Sequence, residues 1–267
     1  MKKSVIFAAM ACMVHSVVAV GLGEGSEIAL GGEYQGHLQD VWWDGGTNLW
    51  WAHTHQILRT DLVGRVLASV DVEGHNAGIE VRDGRLFVAV CPMQGKTGGK
   101  TTSECHPQIN VHDAVTLRLL ERHILDHVTD RIGSLAILPD HSFVVGCLRP
   151  QDIGRTQIRL HHLANDDSLL QSAVIDNAAG PLGIETIKYH DGELYLGMNG
   201  VNGLTIVLDT AEFREKRRHS FKGTMGLVFN GRFAWVGMSD WDAQTGVWRS
   251  RLVRYPIPDG FLSAPSL

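Results

Sequence analysis

The sequence predicts an all-β protein built from five similar repeats, and three observations support this. A tight-turn dipeptide, or a relic of one, occurs five times, and an apolar, aromatic-rich run ending in a small residue follows each copy. Asp-Gly and Asn-Gly favour the positive backbone angles of two-residue hairpin turns, and the runs after them are typical of strands. The copies are spaced roughly 40 to 55 residues apart, an interval typical of propeller blades or of another repeat array. The five copies begin at Asp44, Asp83, Asp140, Asp191 and Asn230.

Further strand-like segments surround each turn. An inner segment precedes the turn, and its opening is often marked by glycine, as expected where strands converge closely. A third segment of alternating polar and apolar residues follows, and then a fourth segment leads outward. Four antiparallel strands in each of five repeats predict a five-bladed β-propeller. A β-sandwich with the same number of strands is the alternative. The inner segments open at residues 36, 74, 131, 182 and 224.

The fifth repeat lacks a fourth strand. Its third strand, at residues 251–255, runs into Pro256 and Pro258. We expect residues 27–34 to supply the missing strand, because this would close the ring without leaving an exposed sheet edge. The five repeats follow one another without a linker. One propeller domain is therefore predicted over residues 20–260, followed by a tail at 261–267.

Residues 1–19 predict a secretory signal peptide. Lys2 and Lys3 precede an apolar stretch over residues 5–20, and small residues near Ala19 suit cleavage after it. A membrane span is one alternative, and a lipoprotein box at Cys12 is another. No later segment is long enough to cross a bilayer. We therefore expect a periplasmic or secreted monomer without a membrane span.

The formal charge of the full chain is −5, and removal of Lys2 and Lys3 makes it more negative. This balance argues against nucleic acid or an anionic membrane as a partner. Export would permit disulfides, and three cysteines lie beyond the signal peptide. Cys91 and Cys105 flank a Gly- and Thr-rich loop and are the favoured pair. Cys91 and Cys147 occupy equivalent places in neighbouring repeats and are the alternative pair.

The positions where first strands start and second strands end lie on one face of a propeller. In this chain they are far more polar than packing requires, and convergent polar groups on a concave surface are where a ligand site is expected. A Gly- and Lys-rich insertion at residues 94–102 is expected over the same face, as a lid or as a solvated loop. The sequence therefore predicts the functional site on this face.

Four histidines at these positions predict a metal site. His53 and His55 alternate in an extended segment, so both imidazoles are expected to point the same way. His37 and His75 begin the first two inner strands and would approach from the axis. Imidazole suits a divalent transition metal such as zinc. The alternative is that these residues, among 14 histidines, hydrogen-bond between strands.

Charged residues at the same positions suggest acid–base chemistry. Asp40 and Glu185 are candidate general acid and base, as in glycoside hydrolysis. Arg131 and Arg149 are expected to bind an anionic group, because a guanidinium binds oxyanions bidentately. The alternative is that these four residues form ion pairs buried in the channel.

Polar amides and one tryptophan complete the predicted ligand site. Asn76 and Asn199 lie at positions of the same face. Trp241 is placed in a loop at residues 239–248, where an exposed indole would stack on a sugar ring. Together these residues favour a saccharide or another polar small molecule as the ligand.

Two phrases, Gly36-His37-Leu38-Gln39-Asp40-Val41-Trp42 and Leu182-Gly183-Ile184-Glu185-Thr186, resemble secreted bacterial propellers of unassigned function. The resemblance covers nearly all of the mature chain and transfers no catalytic residue. The chain is also similar, in blade number and export, to plant-type glutamine cyclotransferases. The tyrosine-threonine-glutamine-glycine opening of that family is partly echoed at residues 33–36.

The leading hypothesis is an exported protein that binds a polar small molecule or saccharide in a His-rich central pocket and hydrolyses it with a bound metal. A non-catalytic scaffold for a protein or glycan is the second hypothesis. An enzyme like a glutamine cyclotransferase, acting on N-terminal glutaminyl peptides, is the third and follows from the resemblance alone.

Overall fold

A computed structural model of the chain confirms the predicted propeller. The secondary structure of the described residues consists of β-strands, bridges, turns and bends, with no helix among them. None of these residues therefore belongs to a helix that could cross a membrane. The structure describes residues 22, 27–34, 36–91, 96–97, 100–101, 107–129, 131–148, 157–176, 178, 183–198, 203–221, 223, 225–231, 233–258 and 260–262.

The first strand, β1 (Glu27–Ala29), precedes blades 1 and 2 in the chain. A small hairpin is inserted between the second and third strands of blade 2, inside the predicted insertion. Blade 1 consists of β2 (Leu38–Trp43), β3 (Asn48–His53), β4 (Gln56–Asp61) and β5 (Val66–Asp71). Blade 2 consists of β6 (His75–Arg82), β7 (Arg85–Cys91), β10 (Gln108–Asp113) and β11 (Leu119–Ile124), and its inserted hairpin consists of β8 (Lys96–Thr97) and β9 (Lys100–Thr101).

Blades 3 and 4 repeat the same antiparallel order, and blade 5 takes its fourth strand from the start of the domain. Blade 3 consists of β12 (Arg131–Ile137), β13 (Phe143–Leu148), β14 (Ile158–Leu163) and β15 (Leu169–Ile175). Blade 4 consists of β16 (Ile184–His190), β17 (Glu193–Met198), β18 (Leu204–Asp209) and β19 (Glu215–His219). Blade 5 consists of β20 (Leu227–Asn230), β21 (Phe233–Asp242), β22 (Val247–Pro256) and β1.

The ring is closed by the exchange that the sequence predicts. Strand β1 pairs antiparallel with β22, with Glu27 opposite Val253 and Ala29 opposite Arg251. The inner strand of blade 5 also lies beside the inner strand of blade 1. An apolar cluster fills each of the five interfaces between neighbouring blades. Burial of these faces is the main driving force for assembly of the ring.

The local sequence explains the turns and the close packing at the axis. Asp83 and Gly84 both have positive φ, 51° and 72°, as the predicted two-residue hairpin turn requires. Near the axis, Gly226 has φ +113°, and a Cβ on it would lie 2.6 Å from the Val41 nitrogen. Only glycine fits there without strain, which confirms the predicted crowding of the inner strands.

The last hairpin differs from the prediction. Residues 239–242 and 247–248 belong to β21 and β22, and only residues 243–246 form a turn. Both strands are ten residues long, compared with six or seven in the second and third strands of the other blades. Because of this extra length the hairpin extends beyond its sheet.

The structure also separates the two cysteine pairs. Cys91 is disulfide-bonded, whereas Cys147 is a buried thiol. The alternative pair, Cys91 with Cys147, is therefore wrong. Cys105, the favoured partner, and the predicted signal peptide at residues 1–19 lie outside the described residues.

Candidate functional site

We call the face that carries the starts of the inner strands the top face. In four blades the inner strand bulges near this face, between Leu38 and Asp40 in blade 1 and between Ile132 and Ser134 in blade 3. The other two bulges lie in β6 and β16. A β-bulge changes the direction of the strand and of its side chains, and bulges are common beside functional sites. The bulged ends therefore present the residues just before them to the channel mouth.

His37 and His75 are brought together at this mouth. Their ring centroids lie 6.4 Å apart with an edge-to-face orientation. The Gln39 side-chain amide donates to His37 Nε2 over 2.8 Å, so this nitrogen is an acceptor and the ring is neutral. Burial is the main cause of a lowered pKa at both residues. It lowers the pKa of His37 below its usual value and the pKa of His75 to about 4. Both imidazoles are therefore neutral near pH 7.

The positive charge of Arg131, the first residue of β12, acts on both histidines. This charge is the second cause of the lowered pKa of His37 and of His75. Within the described ranges, no carboxylate lies within ion-pair distance of its guanidinium. We call His37, His75 and Arg131 the top-face cluster. It combines one cation with two neutral imidazoles and is suited to an anionic or hydroxyl-bearing group.

The His53 ring packs against Tyr34 and Ser250 of the N-terminal segment and blade 5. Its ring is fully buried, stacks on Tyr34 with centroids 4.5 Å apart, and places Nε2 3.0 Å from Ser250 Oγ. Burial lowers the pKa of His53 to about 3. Asn76 is also buried and donates to the His53 carbonyl over 2.9 Å. These contacts support the packing of the first, second and fifth blades.

His55 is exposed, and its Nδ1 donates to the Gly74 carbonyl over 2.7 Å. The rings of His53 and His55 therefore meet different neighbours, although the two residues are close in sequence. In the part of the chain that is described, no three His, Cys, Asp or Glu side chains lie close enough to hold a metal ion. Metal binding at the four histidines stays a prediction.

Asp40 lies inside the channel and connects three blades. Its carboxylate is fully buried and forms an ion pair with Lys188 Nζ at 2.8 Å. It also accepts from the Val41 and Ile79 backbone N–H groups, both at 2.9 Å, and from Thr186 Oγ1 at 3.1 Å. These contacts match the alternative of a channel ion pair, so we propose no catalytic role for Asp40.

The other predicted residues are placed unevenly. Glu185 is half-buried in the bulge of β16 and has an interaction of its own. Arg149 and Asn199 lie outside the described residues. The predicted roles of these three residues stay predictions.

Trp241 is 53% exposed, as the sequence predicts, and lies on the long hairpin of blade 5. Its ring centroid is 5.4 Å from that of Trp248, which is itself 5.4 Å from that of His37. An aromatic row therefore leads from the exposed hairpin to the top-face cluster. Sequence reasoning missed the part played by Trp248. The available signal was its position, because a hairpin with its turn at residues 243–246 pairs Trp248 with Trp241.

Two further channel residues were missed. Lys188 also donates to the Ile79 carbonyl over 3.0 Å, and its Nζ lies 5.1 Å from the Trp42 ring centroid. Glu80 is buried, accepts from the Ile137 N–H over 2.8 Å and from Arg82 over 3.4 Å, and burial raises its pKa to about 7. The available signal was a charged residue inside each of the inner strands β6 and β16, where apolar residues are expected.

Comparison with known proteins supports the fold and leaves the function open. No family model and no curated protein matches the chain. A protein of unknown function from Bacteroides caccae is similar in structure, with a TM-score of 0.53 and 12% identity over 82% of this chain and 84% of that one. A computationally designed protein, Ika8, aligns with a TM-score of 0.38 and 14% identity over 85% of this chain and 74% of its own, and we infer nothing from it. The likeness to the Bacteroides protein shows the propeller fold alone.

Proposed function

We propose that the protein binds an anionic saccharide, or a polar small molecule of that kind, at the top-face cluster. The observation that carries this proposal is the guanidinium of Arg131, whose charge acts on two imidazoles and which has no described carboxylate within ion-pair distance. A partly buried cation without a counter-ion among the described residues is suited to a ligand anion, because such a pair is stronger where water is partly excluded.

The aromatic row supports a sugar as the body of the ligand. The exposed face of Trp241 continues through Trp248 to His37 with centroid spacings of 5.4 Å. Indole rings present an apolar face with a polar edge, which matches the mixed surface of a sugar ring. The imidazoles of His37 and His75 provide hydrogen-bonding groups for hydroxyls between this row and Arg131.

The two histidines make the proposed affinity depend on pH. A bound anion favours the protonated imidazoles, so binding takes up protons and raises the pKa of His37 and His75. Because the pKa of free His75 is about 4, affinity for an anion should rise as pH falls from 7 toward 4. A neutral sugar should show no such rise.

The test is a calorimetric titration with D-glucuronate, D-galacturonate, N-acetylneuraminate and glucosamine 6-sulfate, with neutral glucose as the matched probe. We expect at least one acidic sugar to bind and Arg131→Gln to weaken it by about tenfold or more. Arg65→Gln, an exposed arginine on a distant turn, is the control and should bind normally. Equal binding of the wild type and Arg131→Gln would refute the proposal.

Metal-dependent hydrolysis is the finer form of this proposal. The approach of His37 and His75, with ring centroids 6.4 Å apart, favours them as the first two ligands of a transition metal. Metal content of protein purified without chelator tests this, with His37→Gln and His75→Gln expected to abolish it. Export, which rests on residues 1–19, is part of the proposal and is tested by fractionation of cells.

A further inference from the structure

A second site, unrelated to the top face, lies between blades 1 and 2. A cleft of about 460 Å³ separates the end of β5 from the outer strands of blade 2. Its floor is one face of β10, and residues at alternate positions of that strand line it. From its lining residues, we infer that this cleft binds a small zwitterion of the amino acid or dipeptide class. The lining residues used in the argument are Asp71, Glu73, His112, Leu117, Arg118 and Arg122.

His112 is the side chain that points to a ligand. It is only 2% exposed, and its Nδ1–H donates to the Leu117 carbonyl over 2.9 Å. That bond fixes Nε2 as the acceptor, yet Nε2 is buried and has no hydrogen-bond partner. An unsatisfied buried acceptor lowers the stability of the fold. His112 Nε2 is therefore suited to accept from an N–H or O–H donor of a ligand in the cleft.

The polar character of this floor differs from the equivalent surface of blade 4. Gln108, Asn110 and His112 lie opposite Val90, Val88 and Leu86 in the register of blade 2. The corresponding residues of β18 are Leu204, Ile206 and Leu208, and these pack against blade 3 in an apolar cluster. Packing of neighbouring blades therefore does not require polar residues at these positions.

The two walls of the cleft carry opposite charges that do not pair with each other. Asp71 and Glu73 line the side of blade 1, and Arg118 and Arg122 line the side of blade 2. Among the described residues, neither arginine has a carboxylate within 4 Å, and Asp71 accepts only from the Gln56 amide, over 3.1 Å. Burial is the main cause that lowers the pKa of His112, and the positive charge of Arg122 lowers it further.

A zwitterion satisfies both walls at once. Its carboxylate would pair with Arg118 and Arg122, because arginine binds carboxylates bidentately. Its ammonium would lie near Asp71 and Glu73 and donate to His112 Nε2. The volume of the cleft leaves room for a side chain against Val70, Val72 and Leu117.

The test titrates the purified protein with the twenty free L-amino acids and a set of dipeptides, followed by ligand-observed NMR and calorimetry. We expect at least one zwitterion to bind and its N-acetylated amide to bind at least about tenfold more weakly, since both charges are then removed. Failure of every zwitterion to bind, or equal binding of the blocked compound, would overturn the inference.

Variants then locate the binding. His112→Leu installs the residue that blade 4 carries at the equivalent position, and Arg122→Gln changes an exposed side chain. Both should weaken binding by about tenfold or more. Arg214→Gln is the control, because Arg214 is an exposed arginine of blade 4 that does not line the cleft. Unchanged binding in both cleft variants would refute the site. Arg131→Gln changes the top-face cluster and should leave binding of the zwitterion unchanged.

Discussion

The buried ion pair between Asp40 and Lys188 leads to the sharpest prediction about stability. Lys188→Met keeps the length of the side chain but removes its charge. The variant loses a hydrogen bond of 2.8 Å to Asp40 and one of 3.0 Å to the Ile79 carbonyl. Hydrogen bonds to charged groups are worth about 1.5–3 kcal/mol each, and breaking a buried pair costs about 3–5 kcal/mol. We therefore expect the free energy of unfolding to fall by about 3–5 kcal/mol.

The assay is urea unfolding at pH 7, followed by tryptophan fluorescence and circular dichroism. The double variant Asp40→Asn/Lys188→Met should recover at least about half of the loss, because the unpaired buried carboxylate is the main cost. Arg65→Met removes an exposed ion pair with Asp61 and should cost less than about 1 kcal/mol.

Two results would refute this reasoning. A loss below about 1 kcal/mol for Lys188→Met would mean that the pair does not stabilise the ring beyond an ordinary surface pair. A double variant no more stable than Lys188→Met would mean that the unpaired carboxylate is not the source of the loss.

Glu80→Gln and Gly226→Ala test the channel in other ways. The pKa of Glu80 is about 7 in the fold against a usual 4.5, so the folded protein holds this proton more tightly and loses stability as pH rises from 4.5 to 7. Glu80→Gln should remove about 3 kcal/mol of that loss, measured by urea unfolding at pH 4.5 and 7.5; identical pH dependence would contradict the assignment. Gly226→Ala should cost at least about 2 kcal/mol by the same assay, whereas Gly231→Ala, where a Cβ meets open space, should cost about 1 kcal/mol; equal costs would contradict the crowding.

The sequence was sufficient for the blades because each turn is encoded locally. Asp83 and Gly84 take the positive φ values that their residue types favour. Convergence of His37 and His75 was also predictable, since both precede or begin inner strands that a propeller brings to its axis. The orientation of His53 was not, because its burial against Tyr34 depends on the N-terminal segment returning to blade 5.

Contacts across the channel and between blades could not be predicted from the sequence, because they depend on how the blades are arranged in the closed ring. Lys188 reaches Asp40 from blade 4 to blade 1, a distance set by the diameter of the closed ring. The alternation of Gln108, Asn110 and His112 looks like a solvent-facing side of an ordinary strand. Only the packing of blade 1 against that side turns it into the floor of a cleft.

The central claim is that an anionic ligand lies against His37, His75 and Arg131, and the most direct measurement is an NMR titration of the imidazole ring protons. The pKa of His75 is followed with and without the acidic sugar that binds most tightly. The account predicts that this pKa rises from about 4 on binding, and that Arg131→Gln abolishes the ligand-dependent shift. A bound sugar that leaves both imidazole pKa values unchanged would contradict it.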